Sequence, residues 1–256
     1  MELTWCSKWS TFTGCVLIWT CLLKIAQSCT CLPKHPQQHY CESDYAIRAT
    51  VIDSHVVWPS ADHIVRNGAV SLSSDVIHSA ERAYKVIVSQ VYKGDDIHRN
   101  QVMYLYTPYQ EILCGIGHLD KGMQFLFMGS FDKMLGKHSF NLCNYHHKWS
   151  EVTPKQVEGL RHAYKNNCHV KIVTCGIDAS CSNEQVELIS VPLETTTWHS
   201  KDTEQHSVCQ WDPWKGTCQL YEAICKKHHH TGHVYWDLSP DYELCQASLY
   251  PGVIDS

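Results

Sequence analysis

The sequence predicts a mainly β protein, with a small five-stranded barrel, a flanking helix and a small disulfide-rich C-terminal domain. Three observations predict this. Apolar and polar residues alternate in several short segments of the first half, as half-buried strands require. A helix-start motif follows these segments. Beyond it six cysteines crowd into residues 175–245, where strand and helix periods fade.

The five predicted strands lie between residues 45 and 142. They are marked by Tyr45, Ile47, Ala49 and Val51, by Tyr84, Val86 and Val88, by Val102, Tyr104 and Tyr106, by Phe125 and Phe127, and by a weaker run over residues 139–142. Five short strands suit a small antiparallel barrel. Between the first two strands, residues 56–82 are polar and have no apolar period, which predicts an extended hairpin loop.

A helix is predicted to begin at Thr153. This residue is a candidate N-cap, Pro154 suits the first helical position, and Gln156 completes a capping box. The apolar face of the helix is formed by Val157, Leu160 and Tyr164. Asn166-Asn167 marks its end, directly before Cys168.

The first 28 residues have the pattern of a secretory signal peptide. Lys8 makes the start weakly basic, residues 14–25 are apolar, and Ala26 and Ser28 are small residues at the two positions that define a cleavage site. The apolar stretch is too short to cross a bilayer, which needs about 20 residues. We therefore expect a secreted chain without a membrane span, beginning at Cys29.

The cysteine count agrees with secretion. Three of the 15 cysteines lie in the segment to be removed, which leaves an even dozen and indicates six disulfides. The remaining cysteines are Cys29, Cys31, Cys41, Cys114, Cys143, Cys168, Cys175, Cys181, Cys209, Cys218, Cys225 and Cys245. Zinc ligation is the competing interpretation, but the chain contains no CxxC pair.

Two function classes lack support. A formal net charge of -5 offers no basic face, so nucleic acid is not an expected partner. An enzyme is disfavoured because the chain has no HExxH, no GxSxG and no glycine-rich phosphate loop.

Several blocks of the sequence resemble the tissue inhibitors of metalloproteinases. The blocks are CTCLPKHPQQHYCESDYAIRAT (29–50), YKVIVSQVYKG (84–94), YTPYQEILCG (106–115), LCNYHHKWSEVTPKQVEGL (142–160) and the cysteine after the helix. A CxC motif alone would be weak evidence, whereas CxC at an expected mature terminus with the other blocks in order is specific. The match covers most of residues 29–168, and the C-terminal half departs from it.

The resemblance implies a domain organisation and three bridges. Residues 29–168 would form an inhibitory domain with an OB-like, netrin-like barrel, and residues 169–256 the disulfide-rich domain. The implied bridges are Cys29–Cys114, Cys31–Cys143 and Cys41–Cys168. The six cysteines from Cys175 to Cys245 allow 15 pairings, and their connectivity stays open.

The resemblance also implies a mechanism. The α-amine and carbonyl oxygen of Cys29 would chelate the catalytic zinc of a target protease, so the protein needs no cofactor of its own. Thr30 would enter the S1′ pocket, followed by Cys31, Leu32 and Pro33, with Glu111, Ile112 and Leu113 alongside. The implied partners are matrix metalloproteinases in a 1:1 complex with a monomer; adamalysin-type metalloproteases and extracellular matrix are further candidates.

Two alternatives remain open at this point. One is a netrin-like module that binds matrix or a signalling partner without touching zinc, because fold alone does not decide function. The other is a family member that has lost inhibition and acts through its divergent C-terminal part. Inhibition needs an unblocked Cys29 as the first residue, whereas a binding module should tolerate extra residues there.

Overall fold

The computed structural model describes residues 29–59, 63–66, 69–72, 74–177, 208–214 and 217–249. The predicted signal peptide and Cys181 lie outside these ranges. The first elements in chain order are α1 (Pro36–Glu42), β1 (Tyr45–Val57), β2 (His63–Arg66), β3 (Ala69–Leu72), α2 (Ser74–Ser79), β4 (Glu81–Lys93), β5 (Val102–Pro108), β6 (Gln124–Asp132), β7 (Lys137–Ser139) and β8 (His146–Lys148).

Five strands close into a barrel, which confirms the predicted fold class. The ring runs β1, β4, β5, β7, β6 and back to β1, while β8 lies beside β6. Four of the ring's pairings are antiparallel, but β5 and β7 are parallel. A closed ring with an odd number of strands cannot alternate direction all the way round, so one parallel pair is unavoidable. The barrel interior is packed by residues such as Ile47, Val86, Leu105, Phe127 and Phe140.

The strands differ from the sequence pattern in three respects. β1 and β4 are longer than predicted, with 13 residues each, and they pair out to Val57 and Glu81. Within the following polar segment β2 and β3 form a short hairpin. The fifth predicted strand lies earlier than expected, because the chain turns at Asn141: its side chain accepts from the Cys143 N–H at 2.9 Å.

The predicted helix begins where the capping box places it. The Thr153 hydroxyl accepts from the Gln156 N–H and the Gln156 side chain accepts from the Thr153 N–H. The helix runs as α3 (Pro154–Glu158), a π-helical turn (Gly159–Ala163) and α4 (Tyr164–Asn166). The Tyr164 ring lies against Gly159, where a Cβ would stand 2.3 Å from it, so this position in the π turn requires glycine. Leu160 and Tyr164 are buried against the outer face of the barrel.

The C-terminal part consists of short elements joined by disulfides. They are β9 (Lys171–Thr174), β10 (Val208–Trp211), α5 (Cys218–Glu222), β11 (Ala223–Lys227), β12 (Val234–Leu238) and α6 (Tyr242–Leu249). β9 and β10 pair in parallel, and β11 and β12 pair antiparallel. Bridges join Cys209 to Cys225 and Cys218 to Cys245. Cys175 is also disulfide-bonded.

Helix α1, which the sequence pattern did not predict, connects the barrel to the C-terminal part. The side-chain amide of Gln37 donates to the Cys225 carbonyl at 2.9 Å, and the Cys225 N–H donates back to Gln37 Oε1 at 2.9 Å. Gln37 is buried, so this exchange satisfies polar groups that would otherwise lose water. Among the described residues no helix is both long enough and apolar enough to cross a membrane.

Candidate functional site

Two segments far apart in sequence lie side by side at one end of the barrel. The first is residues 29–33, which has no regular secondary structure; the second is a 3₁₀ turn, Glu111–Leu113. We call the two together the N-terminal ridge. Its exposed residues include Thr30, Leu32, Glu111, Ile112 and Leu113. Leu32 is 63% exposed and Ile112 53%, so the ridge presents apolar side chains to solvent.

Two disulfides hold the ridge together. Cys29 is bonded to Cys114 with 5.2 Å between their Cα atoms, and Cys31 is bonded to Cys143 with 5.1 Å. These are the pairings that the resemblance implied. The third implied bridge, Cys41–Cys168, joins α1 to the residues after α4. Both ends of the tripeptide 29–31 are therefore tied to the barrel.

The two ridge disulfides are in contact with each other. The Cys143 sulfur lies 3.9 Å from the Cys29 sulfur and 4.0 Å from the Cys114 sulfur. Three sulfurs at such spacing resemble a metal site. All three are disulfide sulfurs, however, and a metal ligand must be a thiolate. The cluster therefore stiffens the ridge rather than holding an ion through sulfur.

The turn Glu111–Leu113 is held by backbone geometry. The Leu113 and Gly115 N–H groups both donate to the Gln110 carbonyl, at 3.1 and 3.0 Å. Cys114 then adopts a left-handed conformation with φ 63°, which is uncommon for a residue with a side chain. A Cβ at Gly115 would stand 2.0 Å from the Pro108 carbonyl oxygen, so only glycine fits there.

Hydrogen bonds from the barrel and from the segment that carries Cys143 hold the residues around the ridge in place. The hydroxyl of the buried Thr107 accepts from the Ile116 N–H at 3.1 Å. The Leu142 N–H donates to the Cys114 carbonyl at 2.8 Å, which fastens the segment that carries Cys143. Sequence reasoning missed Thr107 and Gly115 as supports. The glycine directly after Cys114 was the one available signal.

Two histidines follow residues 29–33 in the chain: His35 is the N-cap of α1, and His39 lies within the helix. His35 is fully buried and burial lowers its pKa to about 4. Burial, aided by the positive charge of Lys34, also lowers the pKa of His39 to about 4. Both rings are therefore neutral at pH 7.

Comparison with known proteins finds one family. A family model described as "Tissue inhibitor of metalloproteinase" matches residues 27–229. Metalloproteinase inhibitor 3 of Gallus gallus is 29% identical over 204 residues, covering 79% of this chain and 87% of the relative. Metalloproteinase inhibitor 4 of Mus musculus is 29% identical over 208 residues, covering 79% and 77%.

A shorter match gives a slightly higher identity. Metalloproteinase inhibitor 3 of Xenopus laevis is 32% identical over 163 residues, covering 63% of this chain and 67% of the relative. The matched family and these relatives are inhibitors and not enzymes, in line with the expectation from the missing catalytic motifs. The family match covers well over half of the chain. The chain belongs to the tissue inhibitor of metalloproteinase family.

Proposed function

We propose that the mature protein is a secreted inhibitor of zinc metalloendopeptidases, with matrix metalloproteinases as the target class. One observation carries the proposal: the residue that cleavage after Ser28 would make N-terminal lies in an exposed ridge, bridged to a second exposed segment. Membership of the family and the printed names of the relatives support it.

The chemistry begins at the backbone of Cys29. In the precursor its nitrogen is an amide; after cleavage it becomes a free α-amine beside the residue's own carbonyl. These two atoms form a five-membered chelate ring with a metal ion. A metalloprotease zinc has three protein ligands and an open position that holds the attacking water. A chelate there removes that nucleophile.

Protonation does not prevent chelation near neutral pH. A free α-amine titrates at about 7.7–8.0, so the zinc displaces the proton at little cost. Tight binding also requires that the chelating residue be rigid. The disulfides hold Cys29 and Cys31 in place before the protease binds, so the entropy cost of ordering this segment is met on folding and not on binding.

The exposed side chains of the ridge would then fill the substrate cleft. In this proposal Thr30 enters the S1′ pocket, Leu32 and Pro33 follow along the primed side, and residues 111–113 lie on the other side of the zinc. Residues 29–168 would form the inhibitory domain and residues 169–256 a separate one. The protein would act as a monomer in a 1:1 complex.

The test extends the mature protein by one alanine before Cys29. We expect inhibition of a matrix metalloproteinase to weaken at least about a hundredfold, or about 2.7 kcal/mol of binding free energy, with the melting temperature unchanged. The matched control adds one alanine after Ser256. N-terminal sequencing of the secreted protein must first show Cys29 as residue one. An extended protein that inhibits as well as the parent would refute zinc chelation and favour a binding module.

A further inference from the structure

Three arginines from different elements converge on one pocket of about 320 Å³. Arg48 comes from β1, Arg99 from the loop after β4, and Arg161 from the π-helical turn. The wall is completed by Ser89, Gln90, Tyr92 and Trp149. No residue of the N-terminal ridge lines this pocket, so it is separate from the proposed inhibitory surface.

Arg48 is held in place before any ligand arrives. Its Nε donates to Gln124 Oε1 at 2.9 Å, and a terminal nitrogen donates to the same oxygen. Its guanidinium carbon lies 4.3 Å from the centroid of the Trp149 ring. Tyr92 stacks on Trp149 with the ring planes 13° apart. An amide oxygen and a ring orient the guanidinium but leave its positive charge uncancelled.

The other two arginines likewise have no ion-pair partner in the part of the chain that the structure describes. Within the ranges that the structure describes, none of the three guanidiniums forms an ion pair with a carboxylate, whereas six lysines do. Arg48 and Arg161 line the pocket together with Tyr92. Burial raises the pKa of Tyr92, and the positive charges of both arginines oppose that rise. Like charges gathered without a partner favour an anion between them.

We propose that this pocket binds a phosphate monoester group. Guanidinium forks match the oxygens of a phosphoryl group in bidentate geometry. A phosphate monoester carries a charge of about -1.5 to -2 at pH 7, whereas a carboxylate or a sulfate monoester carries one charge. Three arginines therefore discriminate in favour of the phosphate. The pocket exceeds the size of a phosphoryl group, which leaves room for the alcohol portion.

The experiment uses the mature full chain labelled with ¹⁵N, at physiological salt. Methyl phosphate should give saturable shifts at the Ser89 and Gln90 amides, with several-fold weaker binding of methyl sulfate and acetate. The phosphate monoester could belong to a phosphorylated protein side chain or to a small molecule, and a peptide carrying phosphoserine distinguishes the two. Tighter binding of the peptide than of methyl phosphate assigns the site to a phosphorylated side chain; equal binding assigns it to a small phosphate ester.

Arg161→Gln should weaken methyl phosphate binding about tenfold, since it removes one of the three positive charges and its charge-assisted hydrogen bonds. Lys165→Gln is the matched control, an exposed cation of α4 that does not line the pocket. Acetylating the Cys29 amine should leave methyl phosphate binding unchanged. The test of the pocket is therefore independent of whether the protein inhibits a protease. The proposal is overturned by the absence of saturable binding, by equal affinity for all three anions, or by equal losses in the two variants.

Discussion

Gly115 shows what the exposed turn demands of a single residue. The Pro108 carbonyl oxygen lies where a Cβ would be, at 2.0 Å, and the Gln110 carbonyl oxygen lies 2.7 Å from the same point. Both oxygens belong to the backbone and cannot move aside like a flexible side chain. The turn that presents residues 111–113 therefore depends on the absence of one methyl group.

Gly115→Ala should lower the free energy of unfolding by about 1–3 kcal/mol, the usual cost of overpacking. It should also weaken inhibition, because the displaced turn carries the bridge to Cys29. Gly136→Ala is the control: its Cβ would meet nothing within 4 Å, and it bears only the conformational cost of a positive φ. Urea unfolding and inhibition assays measure both effects. A Gly136→Ala protein that loses more stability than Gly115→Ala would contradict the steric argument.

Thr30 tests the proposed contact with the protease. Its side chain is exposed, so removing it should leave the barrel intact. Thr30→Gly should raise the inhibition constant about tenfold, corresponding to about 1.4 kcal/mol of lost binding free energy. Thr231→Gly repeats the substitution at an exposed turn of the C-terminal part and should have no effect on inhibition. Unchanged inhibition by Thr30→Gly across several proteases would count against its place in S1′.

At the scale of elements, two helices begin with the same device. His35 precedes Pro36 and Gln38 as Thr153 precedes Pro154 and Gln156, and both starts form a capping box. The sequence predicted only the second, because histidine is not a preferred N-cap residue. In the folded protein His35 Nδ1 accepts from the Gln37 N–H at 3.2 Å, so an imidazole performs the role of the hydroxyl.

The Thr153 cap also links two parts of the chain. Its hydroxyl accepts from the Gln156 N–H and donates to the Tyr221 carbonyl at 2.6 Å. Thr153→Ala should therefore lower the free energy of unfolding by about 1–2 kcal/mol, while Thr153→Ser should keep most of it. Denaturant titration of both variants checks this. Equal losses in the alanine and serine variants would show that the methyl group, and not the hydroxyl, matters.

At the scale of the whole molecule, His35 lies where the barrel part meets the C-terminal part. Its ring packs against Trp211 and Trp236, and its Nε2 bonds to the Gln219 carbonyl at 3.0 Å. Burial lowers its pKa from 6.5 to about 4. Between these values the unfolded chain carries a proton that the folded chain lacks. Stability should therefore fall as the pH drops from 6.5 towards 4.

The loss attributable to His35 is on the order of 3 kcal/mol, because each tenfold difference in proton affinity corresponds to about 1.4 kcal/mol. Urea unfolding at pH 7.5, 6.5, 5.5 and 4.5 measures it. His35→Asn keeps an acceptor at the N-cap position but cannot titrate, so its stability should depend less steeply on pH. His228→Gln, at an exposed position, should retain the parent slope. If the stability of His35→Asn depended on pH as steeply as that of the parent protein, the pH dependence could not be assigned to His35.

The sequence predicted the larger features of the fold well, for local reasons. Alternation along Tyr45, Ile47 and Ala49 reports a strand because successive side chains face opposite sides of a sheet. Its ends were less predictable. β1 and β4 run past the pattern because each pairs with the other, and the chain turns at Asn141 through side-chain hydrogen bonds.

The arginine pocket illustrates the opposite case. Dozens of residues separate Arg48, Arg99 and Arg161 in the sequence. The net charge of -5 describes the whole chain and gives no sign of a local cluster of positive charges. Only the packing of the helix against the barrel brings their charges together.

By itself, the sequence determined the strands, the capped helix and the family of this protein. Each depends on neighbours along the chain or on a motif in order. The tertiary structure decided the parallel β5–β7 pair and the contact between the two ridge disulfides. It also decided the hydrogen bond between Gln37 of α1 and Cys225. These join residues separated by up to 188 positions, whose distances are set by ring closure and packing and not by local preference.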